Sequence, residues 1–274
     1  MASTCKTRRI SIIVAAVLLL TAQWALAGSR GEVRLKYYNR SPAKSVYLWH
    51  NGSYYGNVYT GQFNLKVDTD YAGTWGEGEA VVEMADARPH DVIGSFCADL
   101  AQRIPDRYTV YDVMMPEAAP IGGANAYTFP DGMGSTKASH LRHLFDNHHA
   151  DADTSSTTAA AFQLAIWEII NENSGTYELS YYDGDRGSFY AKNSSSVALA
   201  NDWLDEVVAE TGVPDIALRI LTDPCKQDYA VILPDVPEPP SNGAIPEPMT
   251  MLALIAGLGG TGGYLRRRRL PMAS

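Results

Sequence analysis

Basic residues are scarce through the middle of this 274-residue chain. Lys6, Arg8, Arg9 and Arg266 to Arg269 take seven of the 22 basic residues, and of the 31 acidic ones only Glu247 lies with them at the ends. Between positions 28 and 245, then, 15 basic residues face 30 acidic ones. Phosphate recognition needs clustered Lys and Arg, so the deficit argues against a nucleic-acid partner and for a well-solvated acidic surface. Also missing are a Gly-rich phosphate loop, a Gly-x-Ser-x-Gly elbow and a paired acidic motif of the kind hydrolases use. No repeat of fixed period is found. With 46% hydrophobic and 19% charged residues, the composition excludes wholesale disorder, a collagen-like chain and a polytopic membrane protein. Cysteine is sparse as well, at three residues.

What is present begins with two unusual ends. Residues 1–27 read as a signal peptide: Lys6, Arg8 and Arg9 precede the apolar run Ile10–Thr21, and Ala25-Leu26-Ala27 supplies a small-x-small cleavage site. Cys5 leaves with that segment, so the mature chain keeps Cys97 and Cys225. At the other end, Pro246-Glu247-Pro248 is followed by the apolar stretch Met249–Leu265 and then by Arg266, Arg267, Arg268 and Arg269. An apolar stretch of that length can just cross a thin bilayer, with the arginines holding residues 271–274 in the cytoplasm. Its five glycines make it a weak helix, suited to a temporary anchor. A Pro-rich linker, 234–244, precedes this tail.

These residues resemble the PEP-CTERM sorting signal of Gram-negative bacteria, here covering 245–270. The resemblance implies an exosortase as processing partner and transient tethering in the inner membrane. Release to the cell surface or extracellular matrix would come next, often beside exopolysaccharide.

The central segment, 28–233, reads as α+β: an antiparallel β-rich domain with a helical insert, ahead of a single-span tail. Glu32–Tyr38, Ser45–His50, Val58–Thr60 and Gln62–Asp68 read as short strands, with Asn51-Gly52 as a turn. Ala80–Glu83, Val92–Phe96, Tyr177–Tyr182 and Tyr229–Leu233 add strand expectations. Apolar residues every three to four positions predict helices at Thr136–Asn147, Thr158–Asn171 and Ser195–Glu210, each led by Ser or Thr. On the second of these, Phe162, Ala165, Ile166, Ile169 and Ile170 form a buried stripe with Gln163 at its rim.

Two segments could carry chemistry: Phe96-Cys97-Ala98-Asp99 at a strand end, and Phe162-Gln163-Leu164-Ala165-Ile166-Trp167 on that helix. A glutamine beside an apolar stripe and a tryptophan needs a partner for its amide, or a reaction. The pair resembles the thioester domains of bacterial surface proteins, in which a Cys-x-acidic segment meets a Gln-x-Ala-Ile-Trp segment. In that family the cysteine sulfur joins the glutamine carbonyl and ammonia leaves. The resemblance implies a bond between Cys97 and Gln163, with Phe96, Asp99, Phe162, Ala165, Ile166 and Trp167 around it. Phe162 departs from the threonine common there. The function implied is single-use covalent attachment to an amine on a surface or matrix partner, with exopolysaccharide among the candidates. Neither enzymatic turnover nor a cofactor is expected. Asp99 could orient or deprotonate the attacking amine.

Two cysteines in an exported protein also fit a disulfide. A Cys97–Cys225 bridge would stabilise by about 4–5 kcal/mol in the chain-entropy model. That alternative makes the protein a non-catalytic matrix or glycan-binding scaffold. Its aromatic run Tyr47–Tyr59 could stack on sugars, or simply pack across strands. His140, His143, His148, His149 and Asp146 are too loosely arranged for a metal site and read as a solvated helix end. Asp151, Asp153 and the loop Asp183–Gly187 lack a closing glutamate and read as turns.

Overall fold

The computed structural model describes residues 29–233, apart from 74, 101, 122–131, 173–175, 180–188 and 193. The signal segment, the Pro-rich linker, the sorting tail and the Asp183–Gly187 loop lie outside the described residues. The chain divides after Val236, and its second unit, Pro237–Ser274, is among the residues not described. No helix among the described residues is long and apolar enough to cross a membrane.

The first four strand segments are two long strands. β1 (Ser29–His50) and β2 (Ser53–Val67) pair antiparallel through an Asn51-Gly52 turn in which both residues have positive φ. That is the geometry an Asn-Gly hairpin turn favours. Register shifts between Tyr37 and Asn39, and between Arg40 and Ala43, explain why one strand reads as two in the sequence. An extra residue at a bulge reverses the side-chain phase. Inward positions accordingly change from Val33 and Leu35 to Val46 and Leu48, all fully buried. Gly61 faces the second shift with φ +141, and a Cβ there would meet the Pro42 carbonyl at 2.3 Å. Only glycine fits both demands.

The chain continues through α1 (Glu77–Asp86), a 3₁₀ turn (Pro89–Asp91), β3 (Val92–Cys97) and β4 (Thr109–Met114). Then come α2 (Gly134–Ala152), α3 (Ser156–Asn171), β5 (Phe189–Lys192), α4 (Ser194–Ala209), β6 (Leu218–Asp223) and β7 (Lys226–Ile232). The fold is thus α+β, with a seven-stranded antiparallel sheet and four α-helices among the described residues. Strand order is β2-β3-β7-β6-β4-β1-β5, and because β1 also pairs with β2, six strands close into a ring. β5 extends the far half of β1.

Two strand expectations need correction. Ala80–Glu83 lies inside α1, where Glu77 and Glu79 occupy the first turn and Val81 and Ala85 fall one turn apart on the buried side. Glu77 also accepts from Arg219 on β6 and, at 3.0 Å, from Arg30 on β1, pinning the helix to the ring. Residues 177–179 are not in a strand, and 180–182 lie outside the described residues. β4, β5 and β6 were not anticipated.

The three predicted helices are present as α2, α3 and α4. α3 starts with a capping box: Ser155 Oγ accepts the Thr158 N–H and Thr158 Oγ1 accepts the Ser155 N–H, both at 3.1 Å. At its other end Lys137 Nζ donates to the carbonyls of Ile170 and Glu172, each at 2.7 Å. Between these caps every residue from Ala159 to Asn171 is buried. The expected one-sided stripe is therefore a helix buried on all sides, with α2 and α4 beside it and β1, β2, β3 and β5 against it. Ala159, Ala160, Ala161 and Ala165 allow that close approach. Each large side chain buried here contributes about 1.5–3 kcal/mol.

Candidate functional site

β3 ends in the segment Phe96-Cys97, both residues fully buried. Pairing with β7 sets Cys97 opposite Tyr229, and Ala98 N–H donates to the Asp228 carbonyl at 2.8 Å, carrying the pairing one residue further. α3 runs alongside and points Gln163 at this strand end. Gln163 is fully buried rather than at a rim. Its Oε1 accepts the Cys97 backbone N–H and its Nε2 donates to the Cys97 carbonyl, both at 2.8 Å. One carboxamide thus spans both polar groups of Cys97's own backbone, with the Cys97 side chain rooted between them. A buried carboxamide so held is fixed in position and orientation.

The sulfur has its own partners. Gln227 Nε2, on β7, donates to Cys97 Sγ, and the thiol donates to the Asp99 carbonyl. Burial pushes the thiol well above its ordinary pKa and the nearby Asp99 charge pushes it further, while the Gln227 contact works against both. The buried indole N–H of Trp167 lies beside the thiol and, like Gln227, acts to lower its pKa.

Asp99 is 3% exposed, and its two carboxylate oxygens accept the backbone N–H groups of Gln102 (2.8 Å) and Asp228 (2.7 Å). It therefore ties the chain after Cys97 to β7. These bonds give Asp99 a positioning role at the strand end.

Phe96 and Phe162 meet at 4.7 Å between ring centroids, and Phe145 packs on Phe162 at 4.9 Å. These rings close the helix side of the site. Ala165 and Ile166 are fully buried in the same core, and Trp167 is 3% exposed. On the opposite side a cleft of about 410 Å³ reaches Asp99, Trp167 and Gln227 from the surface, between Tyr55, Tyr59 and Arg103. The site is thus dry on one side and approachable on the other.

Among solved structures, the chain is similar to the N-terminal thioester domain of a surface protein from Clostridium perfringens. The TM-score is 0.33 and the identity 11%, over 74% of this chain and 99% of that one. No family model and no curated protein matches it. A likeness at that level carries no weight for function; the geometry of the site does.

The alternative disulfide is not formed: Cys97 is buried and free, and Cys225 is exposed and free. Register explains it. Cys97 sits opposite Tyr229, four residues from Cys225, so at ~3.3 Å per residue the two stand ~13 Å apart. Cα atoms more than ~7 Å apart cannot be bridged without backbone movement.

The histidines of α2 are a core feature more than a solvated end. His143 and His148 are buried; His143 contacts the Gly212 carbonyl (3.1 Å) and Glu210 (3.3 Å). His148 stacks on Trp203 at 4.5 Å and lies 3.1 Å from Glu206, and His140 pairs with the Tyr177 hydroxyl at 2.8 Å. Among the described residues no group of three or more His, Cys, Asp or Glu could hold a metal. The Asp151 carbonyl accepts from Thr154, the turn expected there. Sequence reasoning missed Gln227. Gln227 sits between Lys226 and Asp228 at the polar start of β7, so nothing local tied it to a cysteine 130 positions away.

Proposed function

We propose that this is an exported surface protein whose central domain forms a thioester between Cys97 and Gln163 and uses it once, to join an amine on a partner. The supporting observation is the doubly hydrogen-bonded Gln163 carboxamide on the Cys97 backbone. In the first step the Cys97 sulfur attacks the Gln163 side-chain carbonyl carbon. Negative charge develops on Oε1, where the Cys97 N–H already donates, as an oxyanion donor should. The C–N bond then breaks, the thiol proton passes to the departing nitrogen, and ammonia leaves. Holding the reacting groups together can be worth about 7–11 kcal/mol at best, which offsets a thiol whose burial disfavours the thiolate.

In the second step a primary amine enters through the cleft beside Trp167 and Gln227 and attacks the same carbon. An amide forms, the sulfur leaves as a thiol, and the Gln227 amide is placed to stabilise it. The Trp167 indole N–H beside the sulfur is a second donor within the site. Phe96 and Phe162 keep water from the helix side, so the bond can outlast hydrolysis until a partner arrives. Because the product is a stable amide, each molecule reacts once, and the protein is a covalent binder and not an enzyme.

The reading extends to the ends of the chain: export by the first 27 residues, inner-membrane tethering by residues 245–270, exosortase cleavage near Pro246-Glu247-Pro248, and release to the surface or matrix. Intact mass tests the central claim. The mature protein should be one ammonia lighter than its sequence, and methylamine should add to Gln163 and free one thiol. A protein of full sequence mass that takes up no methylamine refutes it.

A further inference from the structure

We infer that the outward face of the β1–β2 hairpin is a reversible binding site for an acidic polysaccharide, one whose pyranose units carry carboxylates. Val46 and Leu48 point inward and are fully buried, so the pleat turns Tyr47 outward, next to Asn57, and Ser45 next to Tyr59. After the register shift at Leu48, Trp49 stands beside Tyr54. Trp49 stacks on Tyr190 of β5 at 5.0 Å and 10°, Tyr54 lies 5.0 Å from Trp49, and Tyr47 lies 6.5 Å from Tyr54. The stack fixes Tyr47 and Tyr54 while leaving them 48% and 56% exposed, and Tyr59, outside the stack, is 54% exposed. The rings pack across the strands and still present about half of their surface to solvent, an exposed aromatic patch of the kind that binding surfaces use.

Ring faces edged by hydroxyl and amide groups suit pyranoses, which offer an apolar C–H face with polar groups around its rim. Charge selects among them. The strand segments 45–49, 54–59 and 189–192 hold no Asp or Glu, in a chain of net charge −9. Arg40 lies over the Tyr59 ring at 4.3 Å, and Lys192 stands opposite Tyr47. Two cations flanking an aromatic run complement a sugar carboxylate, and the missing carboxylates remove its repulsion. Asn57 and Tyr59 also line the cleft beside Trp167, so a polymer lying on this face would pass the cleft mouth. Reversible binding here needs no covalent step.

Native affinity electrophoresis of the full chain in mild detergent, in gels containing polygalacturonate or dextran, tests this. Retardation by polygalacturonate, against the repulsion between a net-negative protein and a polyanion, is the expected result. Tyr47→Ala/Tyr54→Ala should weaken it roughly tenfold. Arg40→Ala and Lys192→Ala should weaken it and flatten its salt dependence, while Cys97→Ala should leave it unchanged. No retardation, or retardation untouched in the double tyrosine variant, overturns the proposal. Equal retardation by dextran overturns the acidic class. A dimer that Tyr54→Ala dissociates assigns the face to a second copy and overturns it as well. Because Cys97→Ala is a control here, failure of the thioester and failure of this site are told apart.

Discussion

Gln163→Ala and Cys97→Ala should both abolish methylamine incorporation, yet they should not destabilise the domain equally. Each removes the proposed cross-link, which spans 66 residues of chain. Closing a loop of that length restricts the unfolded state by about 4 kcal/mol in the chain-entropy model, and both variants lose that share. Cys97→Ala otherwise deletes one buried sulfur and with it the acceptor of the Gln227 amide, together a loss of about 2–4 kcal/mol, and keeps the carboxamide bonded to the residue 97 backbone. Gln163→Ala does more. It orphans a buried N–H and a buried C=O, at about 1–3 kcal/mol each, and leaves a cavity that the encircled α3 cannot close. The gap between the variants should therefore be about 1–3 kcal/mol. Urea unfolding followed by tryptophan fluorescence would read it, with methylamine-treated wild type as a third sample that lacks the cross-link but carries no mutation. That sample should fall between wild type and Cys97→Ala. Equal stability of the two variants would refute the hydrogen-bond reasoning. Wild type no more stable than Cys97→Ala would refute the cross-link.

Electrostatics sets three further outcomes. In a Gln163→Ala background, an aromatic disulfide reagent at pH 8 should label exposed Cys225 quickly and Cys97 only after unfolding, because burial both shields that thiol and raises its pKa; rapid labelling of two thiols in the folded protein would contradict this. Glu168 on α3 is fully buried, and desolvation raises its pKa to about 8. An acid raised on folding contributes stability fully present below its unfolded value near ~4.3 and lost as pH climbs toward ~8. Wild type should then weaken by as much as about 5 kcal/mol across that window, and Glu168→Gln should flatten the slope in denaturant titrations at several pH values. Glu77 has the opposite sign: burial alone would raise its pKa, but Arg219 and Arg30 outweigh it and hold the carboxyl below the ordinary range. Its contribution is present above the unfolded carboxylate value and lost as pH falls through the folded one, so Glu77→Gln should make acid unfolding begin at higher pH.

The helices were legible because periodicity and caps are local. Ser155 and Thr158 announce α3, and after them Phe162, Ala165, Ile166, Ile169 and Ile170 recur every three to four positions. What periodicity could not reveal was that α3 is enclosed on every side, which moves Gln163 from a rim into the core. In β1 the bulges hid continuity: the apolar phase reverses between Leu35 and Val46 while the pairing with β2 continues. β4 carries an alternation that is readable only over four residues, Tyr111 and Val113 inward against Val110 and Asp112. Ala80–Glu83 misled because two adjacent valines read as strand in a window too short to show the helical spacing of Val81 and Ala85. For the site, the short motifs named Cys97 and Gln163. The roles of Gln227 and Asp99 depend on β7 returning beside β3, a long-range pairing that no local pattern encodes.

Because α3 is held at both ends and enclosed along its length, a partner joined at residue 163 would grip the domain by its middle. Tension on that partner would enter through the best-braced helix of the molecule and spread at once into the strands packed against it, β1, β2, β3 and β5, so the closed ring as a whole would share the load.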